Sequence, residues 1–214
     1  MRRRKDETRN RILDAAENLF AAKGFDATTV QEISDAARIN KAMIYYYFKD
    51  KQDLLYIVVE RTINEITQAV STYLDEADIE AEDMEAFLDF YIDFLAQHTN
   101  FVRLMTWEML SGKHLEMIAQ KFIQPMFGRT IERLHRWADL GLIRPLSPEH
   151  TLLSIVGMNV FYVFASPLFR EILNDDPLSA DNLARRRQEV KELLTQGLFP
   201  KKDYKERHAE NELV

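Results

Sequence analysis

The chain has 214 residues, 46% hydrophobic and 29% charged, which allows a sizeable buried core and argues for a soluble globular protein. Cysteine is absent, so disulfides and thiolate metal sites are excluded. The net charge of −7 is uneven: residues 1–51 hold 11 Lys/Arg against 8 Asp/Glu and the remainder 17 against 27, so a footprint for a polyanion is confined to the N-terminal end.

The opening MRRRK runs into polar sequence with no apolar stretch, the wrong pattern for a signal peptide, and a cytoplasmic location is expected. Helical periodicity then dominates. A first helix is predicted from Lys5 to Lys23, with Ile12, Ala16, Leu19 and Phe20 on one face and Gly24 as its stop. A second opens at Thr28-Thr29, where Thr28 with Gln31 and Thr29 with Glu32 both fit a capping box; Val30, Ile33 and Ala37 form its inner stripe. Arg38-Ile39-Asn40 is a tight connection, and Asn40 is a good N-cap for a short third helix from Lys41 to Phe48. Asp50 can cap a long fourth helix carrying Leu54, Leu55, Val58 and Ile66. Further helices are predicted near 81–98, 100–111, 114–140, 148–165 and 179–198, with a break from Pro167 to Pro177. The tail 201–214 is almost without apolar residues and is expected to be flexible.

Two short helices joined by a three-residue turn, with a third behind them, make a helix-turn-helix, whose second helix enters the DNA major groove. At about 100° per residue, Ile44 and Phe48 share the inner face of that helix. Ala42, Met43 and Tyr46 lie opposite, Lys41 projects from its start, and Tyr45 and Tyr47 flank it. Three adjacent phenols suit a surface that reaches phosphates or stacks on thymine methyls. Lys51, at the start of the next helix, is placed to grip a phosphate together with that helix's N-terminus.

Thr151 to Phe169 is uncharged for 19 residues, but Ser154, Gly157, Asn159, Ser166 and Pro167 interrupt it; the run is read as a helix buried on most sides, not a membrane span. An enzyme finds little support. The five histidines are scattered, Glu132-x-x-His135 has no second copy to complete a di-iron site, and no phosphate loop or nucleophile elbow occurs. No metal or other cofactor is expected.

Residues 8–55 resemble the DNA-binding domain of the tetracycline-repressor (TetR) family of bacterial transcription regulators. The matching string is Ile12-Leu13-Asp14-Ala15-Ala16, Leu19-Phe20, Lys23-Gly24-Phe25, Thr28-Thr29-Val30, Ile33, Ala36-Ala37 and Ile44-Tyr45-Tyr46-Tyr47-Phe48, closing with Lys51, Leu54 and Leu55. The resemblance implies an all-α homodimer: a three-helix helix-turn-helix domain over 1–50 and a larger helical domain over 51–200 that binds a ligand and dimerises. It implies DNA contacts from Thr29, Lys41, Ala42, Met43, Tyr45, Tyr46, Tyr47 and Lys51, with the arm Arg2 to Lys5 as an addition. It also implies that the last two long helices form the dimer interface, through the uncharged run and through Leu183, Val190, Leu193 and Leu194. Two departures stand out. Arg38 occupies a turn position where glycine is usual, and Tyr47 and Met43 replace the family's common residues, so the operator cannot be borrowed from relatives.

The aromatic and methionine supply between 87 and 162 suits a cavity for a bulky apolar or aromatic ligand, with Phe94, Met105, Trp107 and Phe127 as candidate walls and His98, Asn159 and Tyr162 as candidate anchors. The expected function is a repressor released from a near-palindromic operator in double-stranded DNA by that ligand. The alternative is a DNA-binding architectural protein of the same fold without an inducer.

Overall fold

A computed structural model of the chain describes residues 2–74 and 79–200, with side chains from residue 6 onward. The expected arm at Arg2 to Lys5 and tail at 201–214 lie outside the described side chains. Among the described residues all regular structure is helical, as expected for the all-α fold. The elements are α1 (Arg2–Ala27), α2 (Val30–Ala36), α3 (Lys41–Tyr47), α4 (Lys51–Tyr73), α5 (Ala81–Gln97), α6 (Thr99–Ser111) and α7 (Leu115–Ile118). A π-helical turn (Ala119–Ile123) follows, then α8 (Gln124–Asp139), α9 (Pro148–Phe164), α10 (Ser166–Leu173) and α11 (Ala180–Leu198).

Three boundaries differ from expectation. Regular helix geometry in α1 is broken at Gly24 (φ 80°, ψ 166°), and one further turn runs on to Ala27. The predicted single helix over 114–140 is divided, because Pro125 has no N–H to give to an upstream carbonyl; the widened turn before it, closed by Gln124 N–H donating to Ala119 O, makes room for the ring. The expected break after Pro167 holds α10 instead. A proline in the first helical turn has no N–H to waste there, and this helix stops only at Asn174, which adopts a left-handed backbone.

The described residues form two compact units, one within 1–65 and 98–125, the other within 66–97 and 126–200. In the first, Ile12, Phe20, Ile33, Ile44, Phe48, Leu54 and Leu55 are buried together with Phe101, Val102 and Leu104 of α6. Helix α6 runs along α1, where Asn100 donates to Asn18 (2.7 Å) and the indole of Trp107 donates to the Ala21 carbonyl (3.3 Å). Arg61 of α4 joins α1 through Asp14 (2.8 Å) and Glu17 (2.6 Å).

In the second unit, α5 packs on α11 and α9. Phe87, Leu88, Tyr91 and Leu95 fill its core with Leu152, Ile155, Val163, Val190 and Leu194. Burial pushes the Tyr91 phenol above its ordinary pKa. Arg187 pairs with Asp93, and Lys191 with Asp89 at 3.0 Å, across the edge of the α5–α11 contact. Val190 and Leu194 are thus occupied inside their own chain, whereas Leu193 is 63% exposed. The uncharged run is split at Ala165 between α9 and α10, which meet at a 64° bend, and no single described helix is long and apolar enough to cross a membrane.

Candidate nucleic-acid interface

The helix-turn-helix is assembled by caps and anchors that each helix carries in its own sequence. Thr28 and Thr29 divide the work between two helices. The Thr28 hydroxyl is buried and donates to the Gly24 carbonyl (2.8 Å), closing the end of α1. Thr29 is the N-cap of α2: its hydroxyl accepts from Glu32 N–H (3.2 Å), and Glu32 returns a carboxylate oxygen to Thr29 N–H (2.9 Å), completing a capping box. Lys23 and Thr29 together hold the Glu32 carboxyl down to about 2.

The turn between α2 and α3 carries Arg38 at φ 52°, a left-handed position usually given to glycine. Arg11 of α1 braces it by donating to the carbonyls of Ala37 and, at 3.3 Å, Arg38. This answers the question that Arg38 raised: the turn keeps the glycine-like backbone and supports it with a guanidinium.

Helix α3 starts at Asn40, whose side chain accepts from Ala42 N–H at 2.9 Å. Ile44 is fully buried and Phe48 is 2% exposed; these two residues seat the helix, and the Arg9 guanidinium lies 5.6 Å from the Phe48 ring centre. The expected reading face points outward. Lys41, Ala42, Met43, Tyr45 and Tyr46 are exposed side by side and Tyr47 is half-buried, its ring edge-on to Tyr46 at 5.1 Å. Thr29 is exposed at the start of α2.

Lys51 behaves differently from its neighbours. It is half-buried, and its ammonium donates to the carbonyls of Phe25 (2.8 Å) and Thr28 (2.7 Å) while lying 4.1 Å from the Phe25 ring centre. Burial lowers its pKa. Two of its three donors therefore fasten the α1–α2 connection, a role that its position in the sequence did not disclose.

The seven candidate ligand residues fall in both units. His98, Met105 and Trp107 belong to the first: His98 lies 3.4 Å from Glu65, Met105 is half-buried, and Trp107 lies over Gly24. Phe94, Phe127, Asn159 and Tyr162 belong to the second. Phe94 is buried and stacks on Phe90 at 5.7 Å, and Phe127 is half-buried. Asn159 is 2% exposed; its amide N–H donates to Ile155 O (2.8 Å) and its carbonyl oxygen is buried without a partner. The Tyr162 hydroxyl donates to Pro177 O (2.8 Å), and the Arg186 guanidinium covers its ring at 4.7 Å. Arg186, half-buried with its Nε unpartnered, was not among the sequence candidates; burial lowers its pKa.

The comparisons with known proteins agree with this arrangement. Residues 12–56 match the family model for bacterial regulatory proteins of the tetR family, and residues 81–194 match that for the tetracyclin repressor-like C-terminal domain. The chain is 30% identical over 165 residues to the HTH-type transcriptional repressor NicS of Pseudomonas putida, covering 73% of this chain and 76% of that one. It is 25% identical over 168 residues to the HTH-type transcriptional repressor SCO4008 of Streptomyces coelicolor, covering 78% and 84%. Among solved structures it resembles the transcriptional regulator SCO4942 from Streptomyces coelicolor, with a TM-score of 0.70 at 24% identity over 88% of this chain and 97% of that one. The match of both family models, over a helix-turn-helix and a following C-terminal domain, places this chain in the tetR family of bacterial regulatory proteins, whose members are DNA-binding transcription regulators and not enzymes.

Proposed function

We propose that the protein is a cytoplasmic repressor that binds a near-palindromic operator as a homodimer and leaves it when a small apolar or aromatic ligand binds. The exposed face of α3 carries this reading: Lys41, Ala42, Met43, Tyr45 and Tyr46 have no place in the core, and an α-helix fits the major groove. Tyr46 and Met43 read base edges, while Thr29, Lys41, Tyr45 and Tyr47 hold the backbone. Lys51 keeps one N–H for a phosphate beside the start of α4.

The homodimer is supported by the apolar surface of α9 and its neighbours. Leu153, Phe161 and Phe164 of α9, Leu193 of α11, and Leu168 and Ile172 of α10 are each between 47% and 65% exposed. That much apolar surface marks an interaction site. Two recognition helices held about 34–36 Å apart would read successive major grooves on one side of the duplex. The ligand acts by favouring a conformer with the wrong spacing, for which its preference must be roughly 10⁴-fold to empty the operator. Repression is supported by the two relatives above, NicS and SCO4008, both transcriptional repressors.

The test is selection from a library of random duplexes at moderate salt, followed by sequencing of the retained DNA. A palindromic consensus is the expected result. Retention without a consensus would leave an architectural DNA-binding protein in its place.

A further inference from the structure

We propose that the cleft between the α1–α2 connection and the α6–α7 corner is a binding site for a small protonated amine on a flat apolar body, with Glu108 as its counter-ion and Trp107 as its wall. The cleft has a volume of about 300 Å³, at the lower end of what small-molecule pockets offer, and its lining is mostly apolar. Glu108 lies in that lining although it is only 1% exposed. A carboxylate accepts hydrogen bonds and donates none, so whatever approaches it must bring N–H or O–H groups.

The three lysines around the cleft are committed elsewhere. Lys113 pairs with Asp26 and Lys23 with Glu32, while Lys51 is held by two backbone carbonyls. Glu108 has one described side-chain partner, the imidazole of His114, whose Nδ1 lies 2.8 Å from one carboxylate oxygen. Burying a carboxylate against a single imidazole is poor compensation, and a cationic ligand would improve it.

The wall has the matching chemistry. The Trp107 indole lies against Gly24, where an added Cβ would sit 3.3 Å from the ring, yet the residue is 43% exposed. A large indole face at a cleft with a buried carboxylate is the pairing that attracts an alkylammonium group. The same chemistry already operates next door, where the Lys51 ammonium sits on Phe25, whose ring also meets His114 edge-on at 4.5 Å.

The site does not depend on the DNA-reading assignment, and its test contains no DNA. Benzylamine and its neutral counterpart benzyl alcohol are titrated into the full-length protein, with calorimetry and tryptophan fluorescence as readouts. Saturable binding of benzylamine alone is expected. Glu108→Gln should weaken it at least about tenfold, the equivalent of one hydrogen bond to a charged group. Exposed Glu116 serves as the control, and Glu116→Gln should bind as the parent does. Should Glu108→Gln fail to fold, Trp107→Leu decides, because its half-exposed ring can be removed without emptying a core position. Absence of saturable benzylamine binding, equal binding of the alcohol, or unchanged affinity in a folded Glu108→Gln or in Trp107→Leu would each overturn the proposal.

Discussion

The Lys51 ammonium is clasped by Phe25, which offers it a backbone carbonyl at 2.8 Å and a ring face at 4.1 Å, 26 residues upstream in the chain. A residue expected to grip DNA thus also fastens the connection between α1 and α2. Lys51→Ala should cost about 1–2 kcal/mol of stability in denaturant unfolding, because two carbonyls lose a charged donor. If its remaining N–H also meets a phosphate, the salt dependence of DNA binding should flatten by about one unit. An unchanged unfolding midpoint would show that the clasp contributes nothing.

Tyr46→Ala tests the opposite kind of residue. Its side chain is 61% exposed, so stability should hold within about 0.5 kcal/mol while preference among operator variants changes. Ile44→Ala, two positions away and fully buried, should cost about 2–5 kcal/mol. Melting curves for both variants, set beside binding to a panel of operators, separate the two roles. Equal losses on specific and random DNA for Tyr46→Ala would remove it from base reading.

Gly24 combines φ 80° and ψ 166° with the Trp107 indole 3.3 Å from where a Cβ would sit. Gly24→Ala must take a backbone that L-residues avoid and push against Trp107 at the same time. We expect a loss of about 2–3 kcal/mol. A thermal midpoint equal to the parent's would show that the connection relaxes freely.

Arg38 gives the converse case. At φ 52° a side chain is strained, so Arg38→Gly should stabilise the protein by about 1 kcal/mol. Arg11→Ala should destabilise it, since the carbonyls of Ala37 and Arg38 lose their donor. Denaturation of the two single variants and the double variant would reveal whether the brace matters less once the turn is glycine. Loss of stability in Arg38→Gly would mean that the arginine side chain itself supports the turn.

Acid should loosen α2. The Glu32 carboxyl is held at about 2 in the folded chain against 4.5 ordinarily, so its ionised form is favoured by folding. That stabilisation is fully present above pH 4.5 and is lost as pH falls through about 2. Amide exchange of the first turn of α2 should accelerate across that window in the parent, and much less in Glu32→Gln. Identical pH profiles would remove the capping box as the cause.

The inner and outer faces of α3 were legible because helical geometry alone sets Ile44 and Phe48 against Tyr46, and the structure buries the first two while exposing the third. The choice between Thr28 and Thr29 as cap was not legible. Both fit the local pattern, and the choice rests on Thr28 reaching back to Gly24. The clasp made by Lys51 was not legible either: its partners lie 23 and 26 residues upstream, beyond any periodicity. Helix α10 was hidden by Pro167, since a proline that breaks one helix is equally suited to begin the next. Pooling aromatic residues between 87 and 162 could not show that Trp107 belongs with α1 while Asn159 belongs to the other unit.

Helix α3 owes its place to Ile44, Phe48 and the Asn40 cap, which leaves Lys41, Ala42, Met43, Tyr45 and Tyr46 with no duty in the core. Substitutions at those five positions should therefore cost little in folding and, on the reading proposed above, be felt mainly in DNA binding. If they read the operator as proposed, this scaffold can change its target one substitution at a time without giving up the anchors that fold it.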